Sequence, residues 1–185
     1  LYPGVEIRIR DGEQQELVQG LTSGSFDLVI LYEHDLDGTI QTQPLMAPQR
    51  PYALLPADHR FAQQTQVSLR ELALEPMILL DVQPSRTYFV SLFDELGLTP
   101  NIAFSSPSIE MVRGMVGQGF GFSILVTRPH SEHTYDGKRV VCVDIAEDIT
   151  GSALVAAWLK RAQLTKSAQL FADYCAEQLA QPAVE

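Results

Sequence analysis

The sequence predicts an α/β fold with largely parallel strands, arranged either as one ordinary domain or as two small lobes. Short apolar runs typical of covered strands alternate with segments whose apolar residues recur at helical spacing. The chain has 185 residues, of which 45% are hydrophobic and 19% are charged. This balance is typical of a folded globular protein and not of a disordered chain.

The first elements follow a strand, helix, strand order. A strand with one exposed face is predicted where apolar residues alternate with charged ones, at Val5, Ile7 and Ile9. The helix that follows carries its apolar residues at Leu17, Val18 and Leu21. It should end near Gly24, since glycine accepts the left-handed conformation of a helix end. The run DLVILY, residues 27–32, predicts a strand covered on both faces.

The middle of the chain begins with a polar, proline-containing stretch, residues 33–51, in which no helix or strand is predicted. YALLP at 52–56 predicts a short strand. Ser68 and Glu71 have capping-box spacing, so a short helix is expected to start there. MILLD at 77–81 predicts an inner strand.

The remaining elements continue the alternation. A helix at 85–97 is expected to stop at Gly97, and Ser106 before Pro107 indicates a second helix start. Residues 126–139 are loop-like. The other predicted elements are strands at 101–104, 122–126, 140–145 and 152–159, and a closing amphipathic helix at 165–179.

Composition excludes several classes of function. A formal net charge of −10 and a pI of about 4.8 argue against direct binding of nucleic acid by this chain, because the phosphates require clustered Lys and Arg. No apolar run reaches the ~18 residues of a membrane span, and the N-terminal residues lack a basic-then-apolar leader pattern, so we expect a cytoplasmic protein. Cys142 and Cys175 are interpreted as buried free thiols.

The glycine-rich stretch Gly117–Gly121 resembles a phosphate loop at first sight. Such a loop requires a strand before the glycines and a helix after them, because the phosphate binds amide groups at the helix N-terminus. Here the periodic residues 109–116 predict a helix before the glycines, and FSILV predicts a strand after them. The glycines are therefore expected to end a helix and to let the next strand begin in tight packing.

This stretch, SIEMVRGMVGQGFGFSIL at 108–125, resembles the effector-domain signature of LysR-type transcriptional regulators. Other segments are similar to the same family in the same order, and together they cover nearly the whole chain. They are YPGVEIRIRDGEQQELVQGLTSGSFDLVI (2–30), YALLPADHRFA (52–62), VSLRELALEPMILL (67–80) and LFDELGLTPNIAF (92–104).

The resemblance implies a two-lobed fold of the type II periplasmic-binding-protein kind, with a small effector held between the lobes. It implies a first lobe of residues 1–76 and 147–185, a second lobe of 77–146, and two crossover hinges. Family members carry a strand and a helix ahead of YPGVEI, so we expect this first strand and helix to be missing here. The family's winged helix-turn-helix DNA-binding domain is expected outside this chain.

Two places are expected to meet the effector, which we expect to be an anionic metabolite. At the first, Ser85, Arg86 and Thr87 open a helix, and an arginine fork suits a carboxylate. The alternative is that the hydroxyls only cap the helix and the arginine is solvated. At the second, Ser105 and Ser106 precede the next helix, which needs a cap with or without a ligand. The weaker candidates, each with a surface or core alternative, are Tyr32, Gln49, Arg50 and Phe122.

The resemblance also implies a homodimer or homotetramer in which first lobes pair antiparallel. The residues expected at that interface are Val5, Ile7, Ile9, Gln14, Leu17, Val18 and Leu21. No cofactor is expected.

Other classes of function have weaker signals. His130 and His133 form only half of a metal site, and the acidic residues at 32–37 lack the spacing of a calcium loop. No G-x-S-x-G elbow is present, so we expect no enzyme. The alternative readings are a transporter's solute-binding protein, which needs an export signal or anchor, and a small α/β transferase or dehydratase, which needs a catalytic acid or base.

Overall fold

The computed structural model describes residues 4–180, and the chain divides into two compact units. Unit 1 comprises Leu1–Pro48 and Ser152–Glu185, and unit 2 is the intervening segment, residues 49–151. The elements in chain order are α1 (Gln14–Ser23), β1 (Val29–Tyr32), β2 (Ile40–Pro44), β3 (Tyr52–Pro56), β4 (Gln66–Val67), α2 (Leu69–Leu72), β5 (Pro76–Leu80), α3 (Ser85–Asp94), β6 (Asn101–Ser106), α4 (Ile109–Gly117), β7 (Ser123–Leu125), β8 (Val140–Ile145), β9 (Leu154–Leu159) and α5 (Lys166–Ala180).

Unit 1 contains a three-stranded sheet in the order β1-β9-β2. Both outer strands run antiparallel to β9, which enters the sheet only after the chain has passed through unit 2. The apolar residues that line this unit's core are Leu21, Val29, Leu31, Ile40 and Val155. The prediction of largely parallel strands is therefore wrong for this sheet, because no helix follows β1 to carry the chain back beside it.

The strand predicted at Val5, Ile7 and Ile9 is also wrong, since residues 5–10 form no ladder with any described residue. A strand is stabilised by hydrogen bonds to a neighbour, and β1 pairs only with β9. A groove of about 400 Å³ lies between residues 7–12 and β1. The expectation of a further family strand and helix stays a prediction.

Unit 2 is built on a four-stranded sheet, β4-β8-β3-β7, and a parallel pair, β5-β6. β3 is its centre, with all five residues buried and both neighbouring strands antiparallel to it. Unit 2 includes residues 49–76, and the division into a first lobe of residues 1–76 and 147–185 and a second lobe of 77–146 stays a prediction. The core of this unit is larger than that of unit 1 and includes Phe93, Val112 and Ile124.

Several local predictions are confirmed. Helix α1 ends at Gly24, whose φ is 75° and whose N–H donates to the carbonyl of Leu21. Ser68 and Glu71 form the predicted capping box at the start of α2. Helix α4 precedes the glycine stretch and β7 follows it, as the exclusion of a phosphate loop required.

Other local predictions need correction. Strand β2 forms inside the polar stretch of residues 33–51, where no strand was predicted. Helix α3 ends at Asp94, three residues before Gly97. The residue that caps α4 is Ser108, whose hydroxyl accepts from the Met111 amide at 3.3 Å, and not Ser106. No helix in the described part of the chain has the length and apolar character needed to cross a membrane.

Candidate functional site

The carboxyl ends of β5 and β6 meet at one edge of unit 2. The two strands are parallel neighbours, with Leu80 opposite Ser106, and the Asp81 amide donates to the Ser106 carbonyl at 2.9 Å. Helix α3 begins four residues later, at Ser85. The two serine-containing segments that the sequence indicated separately therefore belong to a single edge of the sheet, where ligands commonly bind in α/β proteins.

Arg86 and Asp81 form an ion pair at this edge. The Nη1 atom of Arg86 donates to Oδ1 of Asp81 at 2.8 Å, and the two side chains are 46% and 35% exposed. The hydrogen bond from Arg86 lowers the pKa of Asp81, and a hydrogen bond from Ser105 lowers it further. Asp81 thus stays ionised at neutral pH, and solvent reaches both partners.

Sequence reasoning did not single out Asp81, the partner of Arg86 in this ion pair. It ends the apolar run MILLD and precedes Arg86 by five residues, in the loop that leads into α3. A carboxylate directly after an inner strand, close before an arginine, was the available signal. Its role depended on how the loop folds, which the pattern alone does not give.

The hydroxyl groups at this edge have different partners. Thr87 donates to Oε1 of Gln83 at 2.9 Å, and the Ser106 hydroxyl accepts from the Ser108 amide at 3.2 Å. Ser85 is half-buried, and α3 is preceded by Pro84 without any side-chain cap. The interpretation of Ser85 as a helix cap therefore has no support in the hydrogen bonding.

The loop candidates belong to other segments of the chain. Arg50 belongs to unit 2, where it donates to the Glu147 carbonyl at 2.8 Å and lies 3.9 Å from the Asp148 carboxylate. Gln49, beside it, is half-buried. Tyr32 ends β1 in unit 1 and is also half-buried.

The two aromatic residues of the glycine stretch differ in environment. Phe122 is fully buried in the core of unit 2, and its amide donates to the Pro76 carbonyl at 2.9 Å. Phe120 is 52% exposed, and its ring packs against Phe104 with centroids 5.8 Å apart. Packing in the core accounts for Phe122 without a ligand.

Helix α3 is joined to the segment that leaves unit 2. The Tyr88 hydroxyl, next to Thr87, donates to the Thr150 carbonyl at 3.2 Å. At the same segment, both carboxylate oxygens of Glu147 accept from the Leu69 amide at 3.0 Å. The helix that carries Arg86 is therefore bonded to residues next to the boundary between the units.

Within residues 4–180, no three His, Cys, Asp or Glu side chains lie close enough together to hold a metal ion. His133 instead pairs through its backbone with Arg139 in a short hairpin. Cys142 and Cys175 are free and half-buried, and burial raises the pKa of each thiol.

Comparisons with known proteins agree with this architecture. The sequence matches the LysR substrate binding domain family over residues 1–180. The solved structure of HinK, a LysR family transcriptional regulator from Pseudomonas aeruginosa, is 83% identical, with a TM-score of 0.91 over 97% of this chain and 62% of that one. An uncharacterized HTH-type transcriptional regulator of Bacillus subtilis, YybE, is 27% identical over 94% of this chain.

A more distant structure, the BenM effector binding domain with its effector benzoate, shares the fold with a TM-score of 0.73 at 17% identity. It covers 100% of this chain and 86% of that one. The chain spans 58% of the length of YybE and 62% of the HinK chain. It therefore corresponds to part of these longer regulators.

Proposed function

Because the chain belongs to the LysR substrate-binding domain family, we propose that it senses a small carboxylate within a longer transcriptional regulator. The domains of this family belong to regulators that respond to small molecules, and the family is not one of enzymes. In the proposed mechanism, effector binding favours one of two states of the domain, and a DNA-binding domain elsewhere in the longer protein responds. Such a regulator acts on DNA, which supports a cytoplasmic location.

The observation that carries the effector class is the position of Arg86. Its guanidinium stands at the carboxyl end of two parallel strands, is 46% exposed, and is the only arginine in the first turn of α3. A guanidinium binds a carboxylate through charge-assisted hydrogen bonds. The hydroxyls of Ser85, Thr87, Ser105 and Ser106 lie on the same segments. Thr87 would have to leave Gln83, and Ser105 would have to leave Asp81, to donate to a ligand.

The loop residues Tyr32, Gln49 and Arg50 remain secondary parts of the proposal. Arg50 would have to leave the Glu147 carbonyl to reach a ligand. Phe122 is left out because its side chain is fully buried. The reading as a solute-binding protein of a transporter does not fit, since the similar proteins are transcriptional regulators.

The oligomer is a further part of the proposal, and exposed apolar residues of unit 1 support it. Ile7 is 54% exposed and Ile9 is 84% exposed. Exposure of such large apolar side chains to water is unfavourable, and burial in an interface would remove it. Leu17 and Val18 are only partly buried. Leu21 is 2% exposed and packs inward, so the proposed interface excludes it. Gln14 is also turned inward, because its Nε2 donates to the His34 carbonyl at 2.5 Å.

Light scattering of the native chain and of Ile9→Lys tests the oligomer. We expect a dimer or tetramer for the native chain and a shift toward the monomer for the variant. A strict monomer at high concentration of the native chain would contradict this part of the proposal.

A thermal-shift screen of carboxylates tests the effector class. We expect at least one carboxylate to raise the melting temperature of the native chain and to lose that effect in Arg86→Ala. Arg70→Ala is the matched control, because Arg70 is exposed on α2 of the same unit. An unchanged carboxylate response in Arg86→Ala would remove Arg86 from the site and overturn the proposal.

A further inference from the structure

Asp81 is an internal carboxylate bound by the donors that an effector carboxylate would use. It accepts from Arg86 Nη1 at 2.8 Å, and the nearby Ser105 hydroxyl helps to lower its pKa. We propose that Asp81 is a specificity-determining residue that makes this site select effectors with a cationic nitrogen group beside their carboxylate. Arg86 would hold the carboxylate and Asp81 the cation. This inference rests on the proposed function and narrows its effector class.

The charges of Arg86 and Asp81 favour a zwitterionic effector over a plain carboxylate. Arg86 and Asp81 together carry no net charge. An effector that carries only a carboxylate places two carboxylates on one guanidinium, and like charges this close disfavour each other. A zwitterionic effector brings one charge of each sign, so each of its charges meets an opposite charge. The pair therefore penalises a plain anion and accepts a zwitterion.

The backbone of Asp81 is anchored independently of Arg86. Its amide donates to the Ser106 carbonyl at 2.9 Å, which fixes its backbone to the end of the sheet. The Ser105 hydroxyl, on the neighbouring strand, is a further donor that lowers the pKa of the Asp81 carboxyl. When Arg86 turns to a ligand carboxylate, Asp81 therefore stays in position to receive a cation.

The side chains of Arg86 and Asp81 are both accessible to a ligand. Arg86 uses one of its five N–H donors on Asp81, which is its side-chain partner within the described residues, so the remaining donors can receive a second carboxylate. Both side chains are reached by solvent, at 46% and 35% exposure. The lowered pKa of Asp81 keeps its carboxylate charged throughout the neutral range. A ligand can thus contact both residues without unfolding the edge.

Matched pairs of ligands that differ only in an ammonium group test the inference. Suitable pairs are 4-aminobutyrate with butyrate, β-alanine with propionate, and phenylalanine with 3-phenylpropionate. Dissociation constants are measured by calorimetry on the native chain and on Asp81→Asn, which keeps the shape of the side chain and removes its charge. Asp94→Asn is the control, since Asp94 is an exposed carboxylate at the other end of α3.

In at least one pair, the native chain should bind the zwitterion about tenfold more tightly than the plain carboxylate, an effect of the size expected for one charge-assisted contact. Asp81→Asn should abolish this preference and bind the plain carboxylate as tightly as the native chain or more tightly. Asp94→Asn should retain the native preference. Ser105→Ala, which loosens the anchor of Asp81, should reduce the preference partially.

The inference is overturned if the native chain binds both members of every pair equally, or if Asp81→Asn keeps the native preference. Arg86→Ala separates this failure from failure of the proposed function. If carboxylates bind in an Arg86-dependent way without a preference that depends on Asp81, only the present inference is wrong. If no probe binds, or Arg86→Ala leaves binding unchanged, the proposed carboxylate site is wrong and this inference is lost with it.

Discussion

Gly121 packs directly against the backbone of Pro76. A β-carbon built on Gly121 would lie 2.1 Å from the Pro76 carbonyl oxygen, and its φ of 151° is one that other residues rarely adopt. The Pro76 carbonyl also accepts from the Phe122 amide, so the contact lies where β5 begins beside β7. The last glycine of the glycine-rich stretch therefore serves the packing of unit 2.

Replacing Gly121 with alanine is expected to destabilise the chain by about 3 kcal/mol or more, because overpacking and backbone strain add together. Urea unfolding followed by circular dichroism measures the free energy of unfolding. Gly119→Ala is the control, since Gly119 has a φ of 82° but no atom within 4 Å of an added β-carbon. The control should cost about 1 kcal/mol. Equal losses in the two variants would contradict the packing role.

Ser123 offers a stabilising substitution. Its side chain is fully buried, and its hydroxyl has no hydrogen-bond partner within the described structure. Ser123→Ala removes the cost of that buried hydroxyl, so we expect stability to rise by up to about 1 kcal/mol.

Ser152 is the comparison for this prediction. It is 5% exposed, and its hydroxyl lies 3.0 Å from Nε2 of His34. Ser152→Ala should lower stability by about 1 kcal/mol, because it breaks that hydrogen bond. Chemical denaturation of both variants measures the change in the free energy of unfolding, which should have opposite signs in the two. A loss of stability in Ser123→Ala would contradict this prediction.

Ser108 and Ser85 are expected to have different roles, the first in capping a helix and the second in binding the ligand. Ser108 caps α4, so Ser108→Ala should cost about 1 kcal/mol of stability. The start of α3 has no side-chain cap, so Ser85→Ala should change stability by less than about 0.5 kcal/mol. If Ser85 contacts the effector, the same change should weaken carboxylate binding. A large stability loss in Ser85→Ala would restore the capping interpretation.

Cys142 and Cys175 should react slowly in the folded chain. Burial raises the pKa of both thiols, which leaves less of the reactive thiolate at neutral pH, and the positive charge of Arg128 opposes this only in part at Cys142. Iodoacetamide labelling at about pH 7.5 should be at least tenfold slower in buffer than in urea. Mass spectrometry of the two peptides measures each rate, and fast labelling of the folded chain would contradict the expected protection.

Local patterns were sufficient for much of the fold. The apolar runs at β1 and β3 and the glycine after α1 each depend on neighbouring residues in the sequence. The direction of pairing was not predictable in this way, because β9 joins β1 and β2 more than 100 residues later. Strand β2 was missed because IQTQP is polar, and it forms through its pairing with β9.

The candidate site was also predictable only in part from local sequence. The arginine and the hydroxyls were recognisable from their residue types and from their places before helices. That Ser105 and Arg86 belong to one edge follows from the parallel pairing of β5 with β6. The bond between Arg86 and Asp81 depends on the path of the loop between them, which the residue types alone do not predict.

A crystal structure of the chain with a carboxylate that raises its melting temperature tests the central claim most directly. We expect the ligand carboxylate within hydrogen-bond distance of the Arg86 guanidinium, at the edge formed by β5 and β6. A ligand bound elsewhere, with Arg86 still paired only to Asp81, would contradict it.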